Sequence, residues 1–222
     1  MHLEIMIEDQ SGKEALEILL PQILLDSNVT FNVVSYKGVG HLPRNLDAKH
    51  DASKRVLLNN LPRLIRGLGK TFAGYGEHFP AALVIVCDLD DRNLKDFLEE
   101  LNAVLDECDP KPPTRFCLAI EEGEAWLLGD IPAITSSYPR ANLAILNKYV
   151  NDSICGTWEV LADALYSGGH TKLKQKGWQS VGADKSKWAR LICPQMDVNR
   201  NDSPSFKYFV ENIRNLVEEG KT

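Results

Sequence analysis

The chain is 222 residues long, carries a formal net charge of −6, is 44% hydrophobic and contains five cysteines. That length suits one large domain or one domain with a small appendage. No apolar run approaches the ~20 residues a membrane helix needs, and the net acidity argues against nonspecific nucleic-acid binding by the chain as a whole. Cys87, Cys108, Cys117, Cys155 and Cys193 are scattered and never in a CxxC spacing. This argues against a zinc site and a disulfide framework, and for a reducing cytoplasm.

The first eight residues lack a basic region ahead of a long apolar stretch, so they read as a strand and not as a secretory signal. Leu3, Ile5 and Ile7 alternate, and the strand ends at Glu8-Asp9. After a Gln10-Ser11-Gly12 turn, Ala15, Leu16, Ile18, Leu19 and Leu20 give the apolar face of a helix to about Leu25, kinked or split at Pro21. Val29 to Tyr36 reads as a second strand by β-propensity, followed by a loop over Gly38 to Pro43. Leu57, Leu58, Leu61, Leu64 and Ile65 predict a helix from about Ser53 to Leu68.

The unbroken apolar run in Ala82 to Asp88 predicts a third strand buried on both faces. A helix follows over residues 91–107, with Leu94, Phe97, Leu98, Leu101, Val104 and Leu105 on one face, and Pro110, Pro112 and Pro113 end it. Arg115 to Ile120 is a fourth strand, and Cys87 and Cys117 are core residues of their strands. This alternation predicts a mostly parallel sheet with helices on both faces. Beyond Glu121 only helices are expected: Glu124 to Leu128, Thr157 to Tyr166, Asp184 to Ile192, and a last one with Ser203 as N-cap and Pro204 at its first position. The organisation is therefore an α/β domain over 1–130 and a helical appendage over 131–222.

Open parallel sheets bind ligands beyond the carboxyl ends of their strands. Here those ends read Glu8-Asp9, Asp88-Leu89-Asp90-Asp91 and Glu121-Glu122-Gly123-Glu124, three acidic ends along one rim. Strand alternation points Asp88 and Asp90 to the same side. Carboxylates that close repel each other, so they need a proton, a cation or water. Oxygen-only ligands suit Mg²⁺ or Mn²⁺. The plainer alternative makes these acids helix caps, with Asp91 as an N-cap.

Charge is also unevenly spread. Residues 88–130 hold 13 acids and four bases, whereas 170–190 hold six bases (Lys172, Lys174, Lys176, Lys185, Lys187, Arg190) and one acid, Asp184. Trp178 and Trp188 interleave with those bases, a pattern able to contact a nucleic-acid backbone and stack bases. The reading preferred for both tryptophans is nevertheless that of core anchors in the helical appendage.

The stretches Ile7-Glu8-Asp9 and Asp88-Leu89-Asp90 make the sequence resemble the TOPRIM domain, the metal-dependent catalytic fold of topoisomerases, primases and OLD-type nucleases. That family places a glutamate after its first strand and a D-x-D after its third. The chain resembles more closely a bacterial group of TOPRIM-like proteins. The resembling stretches are Ile7 to Gly12, Asp88 to Asp91 and Ala119 to Leu128, and more weakly Gly156-Thr157-Trp158-Glu159 and Asn201 to Phe206. The likeness covers about the first 130 residues well.

The resemblance implies Glu8 as acid/base or metal ligand, Asp88 with Asp90 as metal ligands, and Glu122 with Glu124 as the second acidic pair of OLD-type sites. It implies Lys185 as the lysine brought to the scissile phosphate. The chain has Glu8-Asp9 where the family often has Glu-Gly, and it carries none of the ATPase domain fused in OLD-type nucleases, which leaves two expectations open, an ATPase partner in trans or no nuclease activity at all. The expected function is a Mg²⁺- or Mn²⁺-dependent, nuclease-like phosphoryl transfer on nucleic acid held by Lys172, Lys174, Lys176, Lys187 and Arg190. The alternative is a non-catalytic adaptor or defence-system component that binds a protein partner; a weaker third is a module binding a phosphorylated small molecule through the metal.

Two other patterns carry less. Gly67-Leu68-Gly69-Lys70-Thr71 ends like a P-loop but has Leu64 where the motif needs glycine, and it reads as a helix C-terminus with Gly67 or Gly69 just past the end. His41, His50, His78 and His170 have no ligand spacing, and only His41 falls near the rim. Ser11 and Ser153 lack a His/Asp relay.

Overall fold

A computed structural model describes residues 1–25, 28–38, 40–43, 56–76 and 79–221. Four strands, β1 (His2–Ile7), β2 (Thr30–Ser35), β3 (Ala81–Asp88) and β4 (Thr114–Ala119), form one all-parallel sheet in the order β2-β1-β3-β4. The register sets Ile7 beside Ser35 and Val86, and Asp88 beside Ala119. The chain leaves β1 toward β2 on one side and returns to β3 on the other, so the connections that follow β1 and β3 run to opposite faces of the sheet. Such a switch point opens a crevice in the sheet rim.

Side-chain alternation sorts the sheet residues onto two cores. One face buries Leu3, Ile5, Ile7, Val84, Val86 and Cys117 against α1 (Gln10–Leu24), α9 (Trp178–Ile192) and α10 (Pro204–Glu219). The other buries Met6, Leu83, Ile85, Cys87, Phe116 and Leu118 against α2 (Leu57–Ala73) and α3 (Leu94–Asp106). β3 faces both cores, which is why it reads as an unbroken apolar run. The expected α/β architecture with helices on both faces is therefore present, as is a wholly helical remainder: α4 (Glu124–Leu128), α5 (Ile131–Ser137), α6 (Leu143–Leu146), α7 (Thr157–Leu165), α8 (Gly169–Gln175), α9 and α10. These helices share the α1-side core of the sheet. Trp126 of α4 packs against Phe206 and Phe209 of α10 with ring centroids 5.6 and 5.0 Å apart. Among the described residues no helix is long and apolar enough to cross a membrane.

Several local expectations are corrected. Pro21 lies inside a continuous α1 and does not split it. α2 runs on to Ala73, so Gly67 and Gly69 are interior positions and Gly74 is the C-cap; the expected start at Ser53 lies outside the described residues. Gly69 serves close approach, because a Cβ there would stand 2.0 Å from the Pro110 carbonyl oxygen. Asn93 caps α3, not Asp91: its side chain accepts from the Lys95 and Asp96 amides. α9 begins at Trp178, six residues before the expected Asp184.

Candidate functional site

The crevice between β1 and β3 holds a cavity of about 40 Å³ whose lining includes Glu8, Asp9, Ser11, Asp88, Glu124 and Lys185, over an apolar floor that includes Leu16, Leu19 and Val86. That volume accommodates a few waters or one partly hydrated ion. Each polar side chain arrives by a separate local cause. Glu8 follows the last residue of β1, and one of its carboxylate oxygens accepts the Asp88 amide at 3.3 Å. Asp9 has an extended backbone and caps α1, accepting the Gly12 amide at 2.7 Å and the Ser11 hydroxyl at 2.5 Å. Asp88 is the last residue of β3.

Glu122 and Glu124 enter on the turn between β4 and α4. Lys185, from the middle of α9, reaches both, at 3.3 and 2.9 Å. All three side chains are largely withdrawn from water, at 15% exposure for Lys185, 25% for Glu122 and 6% for Glu124. In such surroundings an ion pair persists only when each charge is closely matched. Burial alone would lower the Lys185 ammonium's pKa, but Glu124, Glu122 and Asp88 outweigh it and raise that pKa above its ordinary value. Glu122 is pushed up to about 7, by burial first and by Glu124 and Glu159 after it, against the opposing pull of Lys185.

Asp88 is the group left over. Its carboxyl stands well above the usual carboxylate range, because burial first, then Glu8, Glu124 and Asp9, outweigh the opposing pull of Lys185. No hydrogen-bond donor reaches its carboxylate among the described residues. Glu8, Asp9 and Asp88 thus crowd beside two carboxylates that share one ammonium.

Asp90 departs from the expected geometry. Its φ of 52° places it in the left-handed region, so strand alternation with Asp88 ends one residue beyond β3. It lies 3.9 Å from Arg92 and is about half exposed. Glu121, with φ 63°, is also left-handed, and it directs its carboxylate onto the amides of Cys155, Gly156 and Thr157 at 3.2, 2.7 and 2.8 Å. This use of Glu121 as a clasp for the start of α7 was not foreseen; the Gly156-Thr157 stretch after a loop was its only sequence signal. The Asn201 to Phe206 stretch proves to be a second clasp. Asn201 donates to the Trp126 carbonyl at 2.7 Å, and Ser205 accepts from the Trp126 indole at 2.9 Å. Both clasps brace the turn that carries Glu122 and Glu124.

The basic segment divides. Lys172, Lys174 and Lys176 are exposed on and just after α8, whereas Arg190 pairs with Glu14 of α1 at 2.6 Å. Lys187 is exposed on α9 nine positions from Trp178, which sets it on the opposite side of the helix. Trp188 is the core anchor expected, at 2% exposure, but Trp178 is not, at 67%. His41 touches only Asn59, through its backbone. His50 and His78 lie outside the described residues.

A family model matches the chain from residue 7 to residue 214, from the end of β1 into α10. The chain belongs to the family described as a domain of unknown function, DUF4276. No curated protein and no solved structure matches it. The DUF4276 match takes in every crevice residue, including Lys185 of the helical part.

Whether the donors suit a metal turns on their chemistry. Among the described residues no three His, Cys, Asp or Glu side chains stand ready-made as a metal cage. Glu122 and Glu124 already share an ammonium, and Asp90 faces Arg92. Asp88 lies beside Glu8, which accepts its amide, and the two put hard oxygen donors at adjacent strand ends. Mg²⁺ fits that supply, since it keeps several waters and takes one or two carboxylates plus substrate phosphate oxygens.

Proposed function

We propose that this protein is a Mg²⁺- or Mn²⁺-dependent phosphoryl-transfer enzyme of nuclease type, with its centre at the β1/β3 crevice. Glu8 and Asp88 hold the ion, which supplies polarisation of a phosphate and activation of water. The observation that carries this reading is the crowding at Asp88: it lines the cavity with Glu8, Asp9 and Glu124, its carboxylate receives no hydrogen bond from the described residues, and burial with that company raises it above the usual carboxylate range. Carboxylates so crowded repel each other, and a cation relieves them.

The chain's own groups do the remaining work. Lys185 lines the crevice as a fixed ammonium, oriented by Glu122 and Glu124, and offers its charge to a phosphate oxygen without any change in its own protonation. Glu122, poised near neutrality and a quarter exposed, is placed to take or give a proton at the crevice mouth. The apolar floor excludes bulk water and strengthens both effects.

The test is a calorimetric Mn²⁺ titration of the wild type and of Asp88→Asn, with circular dichroism to verify folding. Saturable binding in the wild type that vanishes in the folded variant is the expected result. Absence of binding up to millimolar Mn²⁺ in the wild type overturns the reading. A second reading, a non-catalytic component that binds a protein partner, draws on one feature: an apolar hollow of about 380 Å³ at the β4 edge of the sheet, lined by Leu94, Leu98, Phe116, Leu118, Ile120 and Tyr208.

A further inference from the structure

Trp178 is the anomaly among the four tryptophans. Trp126, Trp158 and Trp188 are 5%, 4% and 2% exposed, whereas Trp178, at the first position of α9, is 67% exposed. An indole left in water forgoes one of the largest apolar burials a side chain offers. Its surroundings are cationic. The Lys174 ammonium lies 5.4 Å from the centre of its ring, and Lys176 sits 5.3 Å from that of Tyr166. Lys172, Lys174 and Lys176 are all exposed, and residues 171–183 contain no acid. In a chain of net charge −6, this is a local cationic and aromatic patch. Among the described residues the ring packed nearest the indole is Trp158, with centroids 6.1 Å apart.

Lys174 of the patch also lines an open hollow of about 350 Å³ together with Glu159, His170, Thr171 and Gln175. Along α9, Trp178 and Lys185 are seven positions apart. They therefore lie on the same side of the helix to within ~20°, roughly 10 Å apart along its axis.

We propose that Trp178 is a stacking platform for an unpaired base of a single-stranded nucleic acid, its phosphates held by Lys172, Lys174 and Lys176 and its backbone leading toward Lys185. The assignment of a direction toward Lys185 rests on the phosphoryl-transfer reading; the binding itself does not. A single strand is specified because an isolated indole face can receive only a base whose own face is open, and bases in a duplex are already stacked on each other. Lysines ringing an aromatic face are the two components such sites combine, backbone charge and a sequence-tolerant π surface.

The four tryptophans make the test direct, since only Trp178 is accessible to a stacking base. Short oligo(dT) and oligo(U), and a duplex of equal length, are titrated in EDTA against the wild type, Trp178→Leu and Lys174→Gln/Lys176→Gln, reading both tryptophan emission and oligonucleotide anisotropy. Single strands should quench the wild-type emission. Trp178→Leu should lose the quench and bind about tenfold more weakly, and the lysine variant should show a shallower salt dependence. The comparison of dT with U decides which sugar is preferred. No binding of either single strand, undiminished binding by Trp178→Leu, or a duplex bound as tightly as a single strand each overturns the proposal. Single-strand binding without Mn²⁺ binding removes the enzyme and leaves the platform, and the converse removes the platform alone.

Discussion

Asp88 and Glu121 end neighbouring strands of one sheet, and the fold treats them oppositely. Glu121 is given three backbone amides and ties the start of α7 to the end of β4. Asp88 is given none and is set among other carboxylates. One acid is a joint and the other is a stored repulsion. Between them stand Glu122 and Glu124, repelling charges made tolerable by Lys185. An acid at a strand end therefore has no fixed meaning; its donors give it one, and a carboxylate without donors marks where a cation or proton is missing.

Substitutions grade this contrast. Lys185→Met leaves Glu122 and Glu124 without their cation and should cost about 4 kcal/mol in urea unfolding at pH 7.5, shrinking at pH 5 as Glu122 takes up a proton. Equal loss at both pH values would break the idea that charge is what Lys185 supplies. Glu121→Ala should cost about 2–3 kcal/mol through loss of charged hydrogen bonds, with little change between those two pH values.

A carboxyl raised in the folded state gives stability that is complete below its unfolded pKa and disappears as pH rises through the folded one. With Glu122 moving from 4.5 to about 7, the wild type should lose stability over that window, on the order of 2 kcal/mol, and Asp88 acts in the same direction. Glu122→Gln should flatten the profile, and a profile unchanged by it would show that Glu122 is not the titrating group. The smallest effect belongs to Asp88→Asn, which should stabilise the protein at neutral pH by about 1 kcal/mol. A loss of stability there would mean that Asp88, like Glu121, is structural.

The strands and the longer helices were legible because alternation and 3.6-residue periodicity are local properties. So was the convergence of acidic ends, since parallel strands necessarily deliver their carboxyl ends to one rim. What each acid touches was not legible. Lys185 lies 63 residues from Glu122, and nothing in local spacing pairs them. The expectation that Asp90 shares a side with Asp88 failed because alternation holds only while the backbone stays extended, and Asp90 is left-handed. Trp178 was misjudged because helical phase alone does not bury a residue: it shares the side of α9 that carries Ala189 and Ile192, but it stands at the first position of the helix and is 67% exposed there. Gly69 looked like a helix end because the backbone of Pro110, which passes against it, is invisible at short range.

The shared core has a consequence for how the protein is made. Synthesis proceeds from the amino end, and the four strands emerge long before Phe206 and Phe209 exist to cover the face bearing Leu3, Ile5 and Val84. Until then the nascent sheet is greasy on one side, and its acidic rim awaits the counter-charge that comes only at residue 185. A ribosome stalled near residue 130 would thus display both an uncovered apolar surface and an unbalanced anionic edge. Chaperones and proteases recognise the first of these, and completion of α10 hides it. The counter-charge of the acidic rim and the cover of the sheet are in this way supplied by the same late stretch of chain.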